Sequence, residues 1–389
     1  MATETLPAEA PRDLSALKFL AFPILCTLVV FELALGGVWM WAVVPTYLLI
    51  ALIGDQALGV DLSRSSRAQK ALLDGYLYSG LPFALMATVL LAAHASGASP
   101  AWLAGIFSLV GFDIGARTAG TTVWDVTAAV VGLGLFYGTL VNVAHELVHR
   151  TGDRLAWLTG RWLLAHSFDT GFAIEHVHGH HRYVGTERDP ATARRGEYVL
   201  AFVWRSTVGQ IVSAWRIERA RLKRRGLPVW SHHNVYLRGQ VMTLMLLGLA
   251  FAVGGWKGLV AFAAAGILGK VSLEFVNYVE HYGLARVEGL RVQPHHSWNC
   301  HNRMSSWVLF NLPRHSDHHM FATRPYYDLR PVPDLQSDAP VLPLGYLGCM
   351  VASLWPPLWN RLVEPHLRDW DERLATPEEV AAANAMAVR

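Results

Sequence analysis

Apolar residues in this chain fall in long, nearly uncharged runs near 17–38, 39–60, 75–96, 121–144, 240–256 and 257–278. A bilayer core of about 30 Å takes roughly 20 apolar residues per helix, so each run predicts a membrane-crossing helix. Only Gly36-Gly37-Val38 separates the first two runs, and only Gly254-Gly255-Trp256-Lys257 the last two, so each pair predicts a helical hairpin. Core helices of a large soluble protein are the alternative, but these rarely run so far without a charge. A further apolar run, 341–359, is interrupted by Pro343, Pro356 and Pro357, which predicts an interfacial or cap-packing helix rather than a seventh span.

Between the runs the chain is polar and basic. The expected organisation is a tail over 1–16, four spans over 17–144, a helical segment over 145–239, a last hairpin over 240–280 and a cap over 281–389. The fold class is therefore all-α, a polytopic membrane protein of about six spans with a helical cap. Composition agrees, with 52% hydrophobic and only 16% charged residues among 389. Net charge, +3, says little, and no nucleic-acid partner is expected. Charge placement says more. Lys and Arg concentrate in 61–74, 150–238 and 286–389, while the opposite side carries little beyond Arg117 and Lys257, so the positive-inside rule puts the tail, the central segment and the cap in the cytoplasm. No cleaved signal is expected at the N-terminus. The expected location is a membrane crossed several times, with these parts on its cytoplasmic face. Cys26, Cys300 and Cys349 form no CxxC pair, which predicts neither a disulfide framework nor a thiolate cluster.

Histidine changes the picture most. The chain has 18, many at helical ligand spacing near the inner ends of the spans. His145 and His149 are four apart, so both rings project from one helix face. His176 and His180 repeat the spacing, with His181 beside them, and His315, His318 and His319 give i, i+3 and i+4. His281 stands singly at the inner end of the last span. Nine imidazoles packed without metal would leave many ring nitrogens unsatisfied, each costing on the order of 1–3 kcal/mol. They exceed the four ligands of one tetrahedral zinc, so two metal ions are the economical inference. Imidazole alone does not choose among iron, zinc, copper and nickel.

Five acids sit beside these histidines: Glu146, Glu175, Asp189, Glu280 and Asp317. Metal-bound imidazoles usually donate their second N–H to a carboxylate or carbonyl, and the acids are expected in that supporting role. Direct ligation by one of them is the alternative. The text His145-Glu146-Leu147-Val148-His149 also suits a metalloprotease with Glu146 as base, but a protease leaves the other seven histidines unexplained.

Three histidine boxes placed around membrane hairpins resemble the integral-membrane desaturase and hydroxylase superfamily, over nearly the whole chain. The run from Glu175 to Arg194, the box Asn277-Tyr278-Val279-Glu280-His281-Tyr282-Gly283-Leu284, the segment from Arg314 to His319 and Pro294-His295-His296-Ser297-Trp298-Asn299 are similar to the bacterial alkane 1-monooxygenase family within it. The resemblance implies terminal hydroxylation of medium-chain alkanes, two non-haem irons, dioxygen as co-substrate, a cytoplasm-facing site and electrons from rubredoxin, itself reduced by a reductase. It places iron ligands at His145, His149, His176, His180, His181, His281, His315, His318 and His319, and not at His178, His295, His296 or His301. Met320-Phe321-Ala322 departs from the family's usual text, which touches the shape of the cap. A fatty-acyl desaturase of the same superfamily and a membrane zinc-binding protein or transporter are the rivals.

A terminal C–H bond offers no acid, base or leaving group, so the implied reaction requires a redox-active metal, which zinc is not. An alkane already dissolves in the bilayer and gains little by entering another apolar phase, so selectivity is expected from the shape of a narrow tunnel. Its expected walls lie in the first four spans, at Tyr47, Leu48, Ile50, Phe83 and Met86. Basic stretches at Arg216–Arg225 and Arg286–Arg303 are the expected surfaces for an acidic electron donor.

Overall fold

The computed structural model describes residues 15–65, 69–335 and 338–388. Most of the expected tail, residues 1–14, lies outside them. Five helices among the described residues are long and apolar enough to cross a membrane: α1 (Ser15–Leu35), α2 (Gly37–Leu58), α3 (Lys70–Ser96), α4 (Val123–His149) and α8 (Val235–His281). Between α4 and α8 come α5 (Arg154–His166), a helical stretch over 172–183 here called α6, and α7 (Val199–Arg224). After α8 the chain forms α9 (His315–Met320), α10 (Gly345–Ser353), α11 (Pro356–Asp369) and α12 (Pro377–Met386). Only isolated β-bridges occur besides helices among the described residues. The protein is an all-α polytopic membrane protein.

Six apolar runs become five helices because the last two join through one residue. Gly255, at φ 57° and ψ −153°, is the sole non-helical residue inside α8, a backbone state open to glycine. A Cβ on Gly258 would lie 2.6 Å from the carbonyl oxygen of Ala250. Eight residues of unbroken helix would separate those positions by about 12 Å, so the chain turns back at Gly255 and α8 is itself a hairpin.

Close helix contact sets the height of the histidine-bearing ends. On α4, a Cβ at Gly134 would stand 2.4 Å from Leu268 Cβ and one at Gly138 2.5 Å from Ser272 Cβ. Small residues four apart let two backbones approach without side chains between them, the favoured way to pack helices in lipid. This contact brings the C-terminal end of α4, with His145 and His149, beside that of α8, with His281. A capping box between Thr122 and Asp125 starts α4 at its far end.

Candidate metal centre

Nine histidines converge beneath the spans in two groups. His145, His149, His176, His181 and His318 form the first, and His180, His281, His315 and His319 the second; within each, one ring nitrogen per residue lies within 4.8 Å of all the others. They are the nine expected from the sequence. The groups adjoin, with the rings of His181 and His319 centred 4.5 Å apart.

Local helix geometry sorts them. His145 and His149 share one group as an i, i+4 pair, and so do His315 and His319. Adjacent histidines diverge, His180 and His318 and their neighbours His181 and His319 going to opposite groups, because successive helical residues point about 100° apart. In α6 the turn His176–His180 widens to π geometry. Such a turn closes between i and i+5, and it is His181, not His180, whose Nε2 meets His176 Nε2 at 3.0 Å.

The donor set fits metal. His181 Nε2 is 3.0 Å from both His176 Nε2 and His318 Nε2, and His315 Nε2 is 3.2 Å from His281 Nε2 and 3.0 Å from His319 Nε2. One N–H can satisfy only one such contact, so three converging nitrogens suit a cation among them. Two ligands each about 2.1 Å from an ion and at right angles to each other are themselves about 3.0 Å apart. Nε2 of His145, His149 and His180 is also buried with no hydrogen-bond partner, a cost that coordination removes. Burial, and the charge each would place on the others, push His176, His181, His318 and His319 well below the ordinary histidine value; for His315 the same burial and His281 act. These rings are neutral at pH 7, as ligation demands. His180 is the exception. Burial opposes its charge, but the Asp189 carboxylate outweighs it and raises the value.

Of the five acids, two touch ligand rings. Asp189 Oδ2 lies 2.9 Å from His180 Nδ1, which turns Nε2 toward the second group. Glu280 accepts a 2.6 Å hydrogen bond from the Tyr346 hydroxyl and reaches to 3.3 Å from His315 Nε2. Glu175 accepts from Ser213 at 3.1 Å, and burial, then the Asp189 charge, push it up to about 8. Glu146 and Asp317 instead face arginines: Glu146 pairs with Arg150 at 2.9 Å, and Asp317 pairs with Arg324 and accepts from the Arg330 N–H at 2.9 Å. Both acids are buried, and a buried carboxylate takes the strongest donor in reach.

Two supports were not legible as such in the sequence. Arg314, fully buried before His315, donates to the carbonyls of Leu329, Asp61 and Ser63 at 2.7, 3.1 and 2.7 Å. The stretch 294–299 clamps two ligand helices: the Trp298 indole donates to Tyr282 O at 2.9 Å, and the Asn299 side chain both donates to Ser316 Oγ at 2.7 Å and accepts from Ser316 N at 3.0 Å. His178 is exposed. His301 is buried and accepts from Val332 N at 3.3 Å. A third cluster, His295, His296 and Glu379, also gathers donor atoms.

An apolar, partly open cavity of about 90 Å³ lies near the centre, with no histidine in its wall. Asn142, one turn before His145, lines it, as does Tyr346, the donor to Glu280. Of the expected tunnel residues Tyr47 lines it; Leu48 is partly exposed, and Phe83 and Met86 pack against the core elsewhere. The side chain of Ile50 lies outside the described ones. The remaining wall comes from α8, α10 and 304–309, which makes the first four spans only part of the enclosure.

The sequence pattern of the family described as fatty acid desaturase matches residues 122–348, a stretch that contains all nine histidines. Alkane 1-monooxygenase 1 of Pseudomonas aeruginosa is 40% identical over 246 residues, 61% of this chain and 63% of that protein. Alkane 1-monooxygenase of Ectopseudomonas oleovorans is 39% identical over 63% of this chain and 61% of its own length. The chain thus spans just under two thirds of the length of these relatives. The xylene/toluene monooxygenase hydroxylase component XylM of Pseudomonas putida is 30% identical over 96% of this chain and 94% of its own.

Proposed function

The chain belongs to the fatty acid desaturase family, and we propose that within it the protein is a terminal hydroxylase of medium-chain n-alkanes, holding two non-haem irons and using dioxygen and rubredoxin-borne electrons. The observation that carries this reading is the convergence of nine imidazole donors, in groups of five and four, near an apolar cavity. Neither group reaches six ligands, so each leaves room at an octahedral ion. Similarity to two alkane 1-monooxygenases supports the substrate class. The positive-inside bias supports an inner-membrane protein with its centre toward the cytoplasm.

Bound there, two irons would supply the redox activation of dioxygen that no side chain of this chain provides. The protein's own contribution is position and exclusion. Asp189 holds the His180 ring, Arg314 and Asn299 fix the helix that carries His315, His318 and His319, and the cavity keeps water from the reacting carbon. Its walls supply shape rather than affinity, since an alkane gains little on leaving lipid.

A basic groove along α7 suits an acidic electron donor. Arg194, Arg216, Arg219 and Lys223 line its two parts and have no acidic partner among the described residues. Ser213, which also lines it, reaches Glu175, the residue before His176. Arg286 leaves the expected docking set, because its buried guanidinium donates to the carbonyls of Val184 and Arg182 at 2.8 and 2.7 Å.

A second reading, hydroxylation of a methyl group on an aromatic ring, is favoured by the nearly full-length likeness to the xylene/toluene enzyme. Metal analysis of purified protein, with octane and toluene turnover by a rubredoxin system, tests both. Two irons per chain and 1-octanol are the expected result, and benzyl alcohol alone transfers the proposal to the second reading. Zinc without oxygen consumption, or an unsaturated acyl product, overturns both. Turnover that does not fall as salt rises removes the docking groove.

A further inference from the structure

The cavity described above has an apolar neighbour of about 200 Å³ on the outer surface, between α4, α8 and α10. Leu135, Ser272, Leu347 and Met350 line both spaces, so these four residues stand where the two meet. Leu347 and Met350 stand on one face of α10 at i, i+3. Neither is fully buried. The outer space continues to Val351 and Leu354, both about half exposed.

The surface around this outer space suits lipid rather than water. On α7 the exposed face over 200–212 carries Leu200, Trp204, Val208 and Ile211, with Trp204 75% exposed, and Trp355 beyond α10 is 66% exposed. The Tyr198 hydroxyl reaches Leu354 O at 3.5 Å, which places the start of α7 at the end of α10. Exposed tryptophans beside an apolar surface belong at the depth of lipid headgroups, and a water-facing patch this apolar would be unusual. Farther along α7 the exposed face turns basic at Arg216 and Arg219, as a helix leaving the bilayer surface would.

The geometry points to a lateral door for an apolar, chain-like substrate, formed where Leu347 and Met350 of α10 close against Leu135 of α4 and Ser272 of α8. The inference rests on the hydroxylase reading and adds the route to its site. Substrate moves from lipid into the outer space, displaces the Met350 side chain, and advances with its end toward Asn142 and Tyr346. Methionine suits such a door, since an unbranched thioether changes rotamer at low cost.

A medium-chain alkyl diazirine added to the iron-loaded protein in lipid vesicles, photolysed and mapped by mass spectrometry, tests the route. Wild type is expected to carry label on Val351 and Leu354 outside and on Thr139 and Asn142 inside. Met350→Trp is expected to keep the outer label and lose the inner one, with octane turnover lost in step, whereas Met350→Ala keeps both labels. Iron content reports whether each variant folds, and Leu347→Trp repeats the block one turn earlier. Inner label that persists in both Trp variants, or its absence from wild type, overturns the door. Labelling needs no turnover, so door-dependent label without octanol defeats the hydroxylase reading alone, and octanol formation untouched by both blocks defeats the door alone.

Discussion

Two clusters of histidine and carboxylate gather donor atoms in this protein, and distance alone makes both look like metal sites. In the nine-histidine centre, nitrogens face nitrogens at 3.0–3.2 Å, and three Nε2 atoms lack any partner. In the cluster of His295, His296 and Glu379 every interaction closes. His296 Nδ1 accepts from Gln293 N at 2.9 Å, so Nε2 of the neutral ring carries the proton and donates to Glu379 Oε1 at 2.6 Å. Glu379 Oε2 takes His295 Nε2 at 3.1 Å and Thr376 N at 2.9 Å. An Nε2 that already holds a proton is not a ligand. Open lone pairs fit the first cluster to hold metal, and spent ones leave the second as a latch that ties α12 to the stretch 293–296.

Loss of one ligand should separate the clusters most sharply. His315→Ala removes the nitrogen at the middle of the four-histidine group, and the expected result is loss of that group's metal and of turnover. His296→Ala is expected to retain full metal content and most turnover, and to lower stability by about 1–3 kcal/mol, the cost of leaving buried Glu379 short of a partner. Metal stoichiometry by plasma emission, measured beside thermal unfolding, checks both. A fall in metal content in His296→Ala would sink the distinction.

A smaller effect belongs to the support around the first cluster. Asp189 accepts from His180 and from the Thr192 hydroxyl at 2.7 Å, so Asp189→Asn leaves the shape and removes the anion that orients the ring. Metal affinity or turnover is expected to drop about 10- to 100-fold, the usual loss for such a partner. Glu146→Gln, whose acid is turned to Arg150, should fall well short of that. Equal losses in a metal-competition titration would place Glu146 in the same supporting role as Asp189 and blur the sorting of the acids.

What was legible in the sequence follows the range of the interactions. Hairpins could be read because a glycine turn and two apolar runs are local features, and the pairs His145–His149 and His315–His319 because i, i+4 spacing is set within one helix. Their division into five and four could not, since it depends on the widened turn at 176–180 and on neighbours such as His180 and His181 diverging. Asp189 could be named as a support, yet its ring could not, because nine residues of chain return it to His180. The cavity wall on α10 was hidden for another reason. Prolines at 343, 356 and 357 argue correctly against a span, but they say nothing of which face of the short helix between them meets α8.

Acid should weaken the latch. Burial works against the charge on Glu379, but the hydrogen bond from His296 and that from Thr376 N outweigh it and hold the carboxyl down at about 2, against an ordinary 4.5. Burial also lowers His296 below its ordinary 6.5. Both folded values lie below the unfolded ones, so the unfolded arm takes up more protons as pH falls, and stability declines from pH 6.5 downward and more steeply below 4.5. Hydrogen exchange in Pro377–Met386 is therefore expected to quicken across that range, after correction for intrinsic rates, before exchange in the metal-loaded helix His315–Met320 does. Glu379→Gln should speed exchange at pH 7 and remove the steeper part below 4.5, because the titrating carboxyl is gone. If the variant keeps the wild-type profile, the carboxylate is not what fastens α12, and the contrast between open and spent lone pairs loses its second half.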